Sequence, residues 1–302
     1  MRYVKNFEDL YITEDTVLSL GKFDGLHRGH KLLMDALSEK KQSGLKAAVF
    51  TFDIPPSSAA GRCDQRVITT NEEKLDLFRQ RGVDYLIECP FTPKIMHMEA
   101  EDFIREIVNR LRVKWLVVGT DFHFGHNRRG DFHMLQAYAD PLAYQVQVVS
   151  KMQYAGRDIS STYIREELEK GRLELANKLL GYPYFIEGTV IQGNRIGRTI
   201  GFPTINIQPP PQKLLPPFGV YVSDVQVDGQ YYRGITNIGK KPTVHGNHPV
   251  GVETFIYDFH RDIYAKKVRV RLLQFVRPEQ KFSGLEELKS QLAKDIAYGK
   301  QI

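Results

Sequence analysis

The first part of the chain alternates between short apolar runs and segments of helical period. The apolar runs, rich in Val, Ile, Leu and aromatic residues, cover residues 16–21, 47–52, 84–89, 114–119 and 144–149. Between them, residues 30–42, 71–82, 99–111 and part of 131–140 repeat apolar side chains at helical spacing. Strands that alternate with helices in this way predict a parallel sheet with helices on its faces.

Beyond residue 183 the pattern changes to strands that follow one another directly. Residues 161–183 form the last long helical stretch before this change, with turn signals at Gly171 and Gly181. The Asp228–Gly229 pair lies between two alternating runs and predicts a β-hairpin. We therefore predict an α/β domain over residues 1–182 and an antiparallel β-barrel of about six strands over residues 183–302, closed by a terminal helix.

Composition and charge narrow the class of protein. The chain has 302 residues, 42% of them hydrophobic and 26% charged, which is typical of a globular protein of two domains. The net charge of +6 is spread along the sequence, which favours phosphorylated small molecules over nucleic acid as partners.

Cysteine usage and hydropathy predict the cellular compartment in which the protein works. Cys63 and Cys89 are the two cysteines and form no Cys-x-x-Cys pair, which disfavours a disulfide framework or a structural zinc site. No signal-peptide pattern and no apolar run of membrane-spanning length is found. We expect a cytoplasmic protein that needs no membrane, nucleic acid or obligate protein partner.

The first candidate site is the segment GKFDGLHRGH, residues 21–30, directly after the first strong strand. His30 falls at the start of a predicted helix, and His27 lies three residues earlier on the same side. A helix N-terminus favours phosphate, and Gly29 would let a nucleotide approach the backbone. The same histidines also fit ordinary loop residues or part of a zinc site, although no Cys or Glu at helical spacing completes such a site.

Two later segments follow strands of the same domain. Residues 117–131 form a loop that carries Asp121, Arg128 and Arg129. Residues 158–171 offer Ser160, Ser161 and Thr162 as helix caps, with Arg165 one turn later. Hydroxyls, helix amides and an arginine on one turn would make a phosphate cradle, although a plain helix cap uses the same residues.

The second candidate site is the glycine-rich segment GNRIGRTIGFPTINI, residues 193–207. Glycine-rich turns let backbone amides face phosphates, and the hydroxyl of Thr204 and carboxamide of Asn206 alternate onto one face of a strand. Oxygen ligands of this kind suit a magnesium–nucleotide complex. A corner of a barrel would need the same glycines, so this reading also stays open.

Glu253, in the segment GVETFIYDF, is the candidate base. Strand alternation places Glu253 on one face with Phe255 and Tyr257. A carboxylate beside aromatic side chains suits a general base close to a ring-shaped substrate. A solvated glutamate on an edge strand would show the same pattern.

These motifs together resemble the bacterial bifunctional riboflavin kinase/FAD synthetase family. The likeness rests on GxFDGxHxGH, GxDFxFG and ISSTxIR in the first half, and on GxPTxN, NIGxxPT and VExxxxDF in the second. It implies an N-terminal Rossmann-like nucleotidyltransferase domain that adenylylates FMN, and a C-terminal riboflavin kinase barrel with a terminal helix. The implied substrates are riboflavin, FMN and ATP, with Mg²⁺ as the metal and FAD as the final product.

The resemblance assigns roles to residues of the first half. It implies that His27 and His30 contact the ATP phosphates and stabilise the transition state, and that Asp121 contacts the nucleotide. The further positions implied to bind ATP or phosphate in this half are Gly21, Phe23, Asp24, Gly25, Gly29, Ser161, Thr162 and Arg165.

The resemblance also assigns roles in the second half. It implies that Thr204 and Asn206 bind Mg·ATP, that Glu253 deprotonates the 5′-hydroxyl of riboflavin, and that Arg277 lies in the segment lining the flavin. The further positions implied to bind nucleotide here are Gly193, Gly197, Gly201 and Asn237.

One departure from the family pattern leaves an alternative open. The family follows its second strand with TFxPHP near the flavin, whereas this chain has TFDIPPSSAAGRCDQR at residues 51–66. A riboflavin kinase with an impaired adenylyltransferase domain is therefore the nearest alternative. A flavin or nucleotide sensor without turnover is the alternative from another class.

Overall fold

A computed structural model describes residues 1–7, 10–53, 66–193, 196–240 and 250–302, without the side chains of Ile196 and Arg198. The chain divides into two compact units, Met1–Ser161 and Thr162–Ile302, here called the N-terminal and C-terminal units. The helices around residues 161–180 therefore group with the second unit, and the functional boundary predicted after residue 182 stays a prediction. Most of the segment TFDIPPSSAAGRCDQR and the Pro-Thr end of NIGKKPT lie outside the described residues.

The N-terminal unit is built on a parallel sheet. Its strands are β1 Arg2–Val4, β2 Thr16–Leu20, β3 Lys46–Phe52, β4 Tyr85–Cys89, β5 Val113–Gly119 and β6 Gln145–Val149. They pair in the order β1-β4-β3-β2-β5-β6, and each of these pairs is parallel. Every residue of β2 is buried, as expected for the central strand of a sheet covered on both faces.

Helices and one hairpin complete this unit. The helices are α1 Arg28–Gln42, α2 Asn71–Gln80, α3 Pro93–Met96, α4 Ala100–Arg110 and α5 Phe132–Ala137, and β7 Gln153–Tyr154 pairs with β8 Arg157–Asp158. Thr70 and Glu73 form a reciprocal capping box that begins α2. Apolar side chains of α4, such as Phe103 and Ile107, join β2 and β5 in one buried core.

The order of the strands locates a ligand crevice. The chain passes from β2 through α1 to β3 on one side, and later returns to place β5 on the other side of β2. The connections after β2 and β5 therefore diverge from neighbouring strand ends. Ligands of open α/β sheets bind at such a reversal, beyond the carboxyl ends of the strands.

The C-terminal unit begins with two helices and continues as a barrel. Its elements are α6 Ser161–Glu169, whose first residue still belongs to the N-terminal unit, α7 Leu173–Leu180, β9 Phe185–Thr189, α8 Ile196–Thr199, β10 Thr204–Ile207, β11 Gly219–Val227, β12 Gln230–Lys240, β13 Val250–Ile256, β14 Lys267–Pro278 and α9 Leu285–Gly299. The strands pair antiparallel in the order β10-β13-β12-β11-β14-β9. A bridge between Ile191 and Asn206 joins the two ends of this sheet and closes the barrel.

The predicted fold class is confirmed. The predicted hairpin joins β11 to β12, and Asp228 and Gly229 have φ values of 51° and 83°, the pair of positive values that a type I′ turn requires. Inside the barrel, Thr236 bonds through its hydroxyl to Ser223 at 2.7 Å and to Thr254 at 2.8 Å, so buried hydroxyls satisfy one another. Among the residues with described positions, none of the helices combines the length and apolar character needed to cross a bilayer.

Candidate active sites

The loop after β2 turns sharply into α1. Phe23, Gly25 and Leu26 have positive φ values of 50°, 82° and 34°. A Cβ at Gly21 would lie 3.1 Å from the ring of Phe23, so the aromatic side chain folds back against the start of the loop. His27 then takes the N-cap position of α1 with extended backbone, and His30 lies in the first turn. The glycines and left-handed residues thus bring both histidines to the end of the sheet.

Asp24 holds this loop in place. Its carboxylate accepts hydrogen bonds from the backbone N–H of Ile68 at 3.2 Å and of Thr69 at 3.0 Å, and its backbone carbonyl accepts one from the hydroxyl of Ser161 at 2.8 Å. Gly25 donates its N–H to the Thr69 hydroxyl at 3.0 Å. Asp24 and Gly25 therefore fix the loop to the segment before α2, and their phosphate-binding roles stay predictions.

The two histidines form a stacked pair. The ring centroids of His27 and His30 are 3.7 Å apart, and the ring planes differ by 19°. A Cβ at Gly29 would lie 3.1 Å from Nδ1 of His27, so the spacing HxGH packs one ring against the glycine backbone. The Nδ1 atoms of both rings are enclosed and make no hydrogen bond to a described residue. The pair therefore has hydrogen-bonding capacity that the described part of the chain leaves unused.

The surroundings of the pair favour neutral rings. Burial lowers the pKa of His27 to about 4, although the charges of Asp24 and Asp121 act in the opposite direction. Burial also holds the pKa of His30 well below its usual range, and His27 and Arg81 add to that effect. A bound polyanion would raise both pKa values, because a nearby negative charge stabilises the protonated imidazole.

The lowered pKa of His27 predicts a loss of stability in mild acid. The unfolded chain protonates this side chain below about pH 6.5, whereas the folded chain resists protonation down to about pH 4. The free energy of unfolding should therefore fall by about 2 kcal/mol between about pH 7 and about pH 5, with His30 acting in the same direction. Trp115 is the single tryptophan of the sequence and lies in β5, so its fluorescence during denaturant unfolding reports on the N-terminal unit.

The control for this prediction is His27→Asn. This variant should show a smaller pH dependence of stability than the unchanged protein, since it lacks the titrating ring. An equal dependence in both proteins would mean that His27 does not titrate as its buried position indicates.

The loop after β5 carries Asp121. A Cβ at Gly119 would lie 3.1 Å from a carboxylate oxygen of Asp121, so the side chain folds back over the strand end. The exposed carboxylate lies 3.2 Å from the ammonium of Lys151, which also approaches Asp158 at 3.3 Å. Arg128 and Arg129 are exposed farther along the same loop. Asp121 is thus held at the sheet end where a ligand is expected, and its contact with nucleotide stays a prediction.

The ISSTxIR segment starts α6. Ser161 is the first residue of this helix, and its hydroxyl bonds to the carbonyl of Asp24 in the loop after β2. Thr162 is exposed and Arg165 is half-buried in the following turn. Ser161 therefore helps to hold the loop that bears the histidines, while phosphate binding by the three residues stays a prediction.

Sequence reasoning missed Lys74, which is buried in α2. Its ammonium makes no hydrogen bond to a described residue. Burial lowers its pKa, while the charges of Glu88, Asp24 and Asp53 act in the opposite direction. Asn71, one turn earlier, donates from its side chain to Asp53 at 2.7 Å. A buried charge near a sheet end is typical of functional sites, but a lysine at a polar helix position gives no signal in the sequence.

In the C-terminal unit, close packing requires the glycines before β10. A Cβ at Gly193 would lie 2.5 Å from the carboxamide nitrogen of Asn206, and one at Gly197 would lie 2.2 Å from the carbonyl oxygen of Phe202. Gly201 has a φ of 87°, which favours glycine. The glycines therefore have a structural role at this corner of the barrel. They also leave the backbone directly against Asn206.

Three candidate side chains lie side by side across the sheet. Glu253 in β13 is directly opposite Asn206 in β10 and directly opposite Asn237 in β12. The row continues from Asn237 to Val220 in β11 and then to Arg277 in β14. Residues that are directly opposite share one face of an antiparallel sheet. We call these five residues the cross-strand row; its second member, between Asn206 and Asn237, is the carboxylate of Glu253.

Thr204 and Asn206 present oxygen atoms on the face of the cross-strand row. Thr204 is opposite Phe255 in the same register that places Asn206 opposite Glu253, as the alternation predicts. A hydroxyl and a carboxamide oxygen fit Mg²⁺, which keeps several of its own waters and takes few protein ligands. Among the described residues, no group of His, Cys, Asp and Glu side chains could hold a metal by itself.

Arg277 is engaged with the terminal helix. Its guanidinium donates from Nε to Asp295 at 3.0 Å and from Nη2 to the same carboxylate at 2.7 Å. Nη1 donates to the carbonyl of Pro278 at 3.1 Å, and Gln291 also donates to Asp295 at 2.9 Å. Arg277 therefore fastens α9 to β14 at the end of the cross-strand row, and direct flavin contact stays a prediction.

Comparison with known proteins places both halves in characterised families. A family model described as FAD synthetase matches residues 10–163, and one described as riboflavin kinase matches residues 180–302. The two matches have the same order along the chain as the two candidate sites described above.

Curated relatives match both halves together. A protein from Listeria monocytogenes is 39% identical over 282 residues, which cover 92% of this chain and 90% of the relative. One from Bacillus subtilis is 37% identical over 285 residues and one from Escherichia coli is 38% identical over 287 residues, each covering 93% of this chain. These matches cover 90% of the Bacillus subtilis protein and 91% of the Escherichia coli protein. All three relatives are named bifunctional riboflavin kinase/FMN adenylyltransferase.

A solved structure has the same fold over the whole length. It is described as a macrolide-efflux protein from Streptococcus pneumoniae and is 31% identical, with a TM-score of 0.88. The match covers 100% of this chain and 99% of that one. From the two family models and the three full-length relatives, the chain belongs to the bifunctional riboflavin kinase/FMN adenylyltransferase family.

Proposed function

We propose that the chain phosphorylates riboflavin to FMN at the cross-strand row and adenylylates FMN to FAD at the histidine pair, with ATP as co-substrate in both reactions. The observation that carries this assignment is that each matched family domain contains its own cluster of reactive groups. The stacked histidines lie at the end of a parallel sheet, and Glu253 lies between two carboxamides on a barrel face. A kinase with an impaired first domain is not favoured, because the relatives that match both halves carry both activities in their names.

Adenylyl transfer to FMN requires charge stabilisation more than proton removal. A phosphate oxygen of FMN attacks the α-phosphorus of ATP, the bond from that phosphorus to the bridging oxygen breaks, and pyrophosphate leaves. His27 and His30 enter as neutral rings that donate hydrogen bonds to the triphosphate. As charge accumulates on the leaving oxygen, the ring N–H groups donate stronger hydrogen bonds to it, so the pair stabilises the transition state electrostatically.

The backbone around the pair supports this step. The N-terminus of α1, capped by His27, presents unpaired N–H groups to an anion. Asp24, Gly25 and Ser161 hold the loop through hydrogen bonds of 2.8 to 3.2 Å. A rigid loop keeps the rings aimed at the phosphates, and such pre-positioning supplies much of the acceleration in phosphate transfer.

Riboflavin phosphorylation requires a base beside the attacking hydroxyl. Glu253 accepts the proton of the riboflavin 5′-hydroxyl while that oxygen attacks the γ-phosphorus, and ADP leaves. Thr204 and Asn206 would hold Mg²⁺ together with ATP through their side-chain oxygens. When bound, the metal neutralises charge on the phosphates. Asn206 lies beside Glu253 in the cross-strand row, so the metal–nucleotide side and the base are neighbours.

Product analysis tests the proposed function. The purified chain is incubated with Mg·ATP and either riboflavin or FMN, and the flavins are separated by chromatography. Formation of FMN and FAD from riboflavin, and of FAD from FMN, is the expected result. FMN as the sole product would show that the N-terminal domain lacks its reaction. Flavin binding with no product in either incubation would identify a sensor instead.

A further inference from the structure

We infer that Asn237 binds the ribityl hydroxyls of the flavin and so belongs to the acceptor side of the kinase site, not to the ATP phosphates. This inference rests on the proposed function, because it takes Glu253 as the base for the riboflavin 5′-hydroxyl. It assigns the sugar-alcohol chain of the substrate to a named position.

One end of the row is the nucleotide side. The backbone at Gly193 lies directly against the carboxamide of Asn206. Gly197 lies close to Thr204, because a Cβ at Gly197 would be 3.5 Å from the hydroxyl oxygen of that threonine. Gly193 and Gly197 therefore lie against β10, at the Asn206 end of the row. If ATP binds under the glycine-rich segment with its metal on Asn206, the nucleotide lies on the β10 side of Glu253.

Asn237 lies on the opposite side of Glu253. Neighbouring strands are about 4.8 Å apart, so Asn206 and Asn237 stand about 10 Å from each other with the carboxylate between them. In-line transfer places the attacking oxygen opposite the leaving group, with the base at the attacking oxygen. The acceptor must then enter from the β12 side, where Asn237 is the neighbour of the base.

The sheet beyond Asn237 carries an apolar cluster whose edge suits a flavin ring. The next residue in the row is the buried Val220, which belongs to an apolar cluster with Val222, Ile235 and Ile296 of α9. The isoalloxazine ring would lie at the edge of this cluster, against its partly buried members Leu273 and Val276 of β14, while the polar Asn237 lies between them and the base. The ribityl chain joins the ring to the 5′-hydroxyl, so it has to pass over this position.

The chemistry of the side chain agrees with a polyol and disfavours a phosphate. Asn237 is half-buried, and its carboxamide makes no hydrogen bond within the described residues. A carboxamide both donates and accepts, which matches hydroxyl groups on neighbouring carbons. A phosphate at this position would lie beside the carboxylate of Glu253, and two like charges in contact are unfavourable.

The test compares ligands with and without the ribityl chain in the kinase reaction of the full-length protein. The variants are Asn237→Leu, which has a similar shape, and Asn237→Ala, which guards against a steric effect of leucine. For each, FMN formation gives KM for riboflavin and for ATP, and inhibition by lumiflavin, which has the ring but no ribityl chain, gives its Ki. The matched control is Gln230→Leu, an exposed amide at the far end of the same strand.

We expect KM for riboflavin to rise about 10- to 100-fold in both Asn237 variants, the loss typical of one unpaired polar group at a binding site. KM for ATP and Ki for lumiflavin should stay within about threefold of the unchanged protein, and Gln230→Leu should change none of the three. A rise in KM for ATP with riboflavin unaffected would overturn the inference and place Asn237 on the nucleotide. An equal rise in Ki for lumiflavin would also overturn it, because the contact would then be to the ring.

The same assay separates this inference from the proposed function. If the unchanged protein fails to convert riboflavin to FMN, the proposed kinase function is wrong. If it makes FMN but the Asn237 variants bind riboflavin normally, only the role of Asn237 is wrong. Conversion of FMN to FAD by the same preparations reports that the N-terminal unit is folded, and inhibition by lumiflavin at an unchanged Ki reports that the kinase site of each variant is folded.

Discussion

Replacing His30 by alanine is expected to lower FAD formation from FMN by about 100- to 1,000-fold while leaving FMN formation from riboflavin unchanged. The imidazole lies in the first turn of α1, stacked at 3.7 Å on His27. Alanine removes a hydrogen-bond donor to the triphosphate and with it the stabilisation of the charge that develops on the leaving oxygen. His30 is not part of the cross-strand row, so the kinase reaction serves as an internal control.

Folding has to be separated from catalysis in this variant. His30 also contacts the ring of Phe23, with centroids 5.1 Å apart, so its loss leaves space in the loop after β2. Denaturant unfolding followed by Trp115 fluorescence should show that the N-terminal unit remains folded. FAD formation at the unchanged rate in a folded His30→Ala protein would mean that the histidine pair does not act on the phosphates.

Replacing Glu253 by glutamine is expected to lower FMN formation by about 100- to 10,000-fold. Glutamine keeps the shape of the side chain. Because Glu253 is half-buried on β13, which pairs with a strand on each side, the pairing register of β13 should be unchanged in the variant. A carboxamide cannot accept the proton of the riboflavin hydroxyl, which is the role proposed for the carboxylate. Conversion of FMN to FAD should continue at the unchanged rate.

The two activities of the Glu253→Gln protein are measured in the same preparation. Riboflavin with Mg·ATP reports on the kinase, and FMN with Mg·ATP reports on the adenylyltransferase. An equal loss of both would contradict separate sites. Retention of FMN formation would mean that another group removes the proton or that no base is needed.

Much of the fold and part of each site could be predicted from local patterns. Alternation along one strand is enough to place Thr204 and Asn206 on one face, and the Asp228–Gly229 turn follows from the positive φ values that these residue types tolerate. The closeness of His27 and His30 likewise follows from their spacing at the start of a helix. In each case the information lies within a few neighbouring residues.

Contacts between distant segments could not be predicted in this way. The cross-strand row depends on the register in which β10, β12 and β13 pair, which no single stretch of sequence contains. The three-residue strand β1 is too short for its pattern to stand out, although it pairs with β4. The hydrogen bonds of Asp24 to Thr69 and of Arg277 to Asp295, and the burial of Lys74, arise only when separate elements pack.

The central claim is that two independent sites act in sequence, and mixing the two variants tests it most directly. His30→Ala and Glu253→Gln proteins are incubated with riboflavin and Mg·ATP, separately and in equal mixture, and the flavins are resolved by chromatography. We expect FMN alone from His30→Ala, unchanged riboflavin from Glu253→Gln, and FAD from the mixture, because FMN released by one protein is adenylylated by the other. If the mixture makes no FAD although each protein keeps its own remaining activity, the account of two independent sites is contradicted.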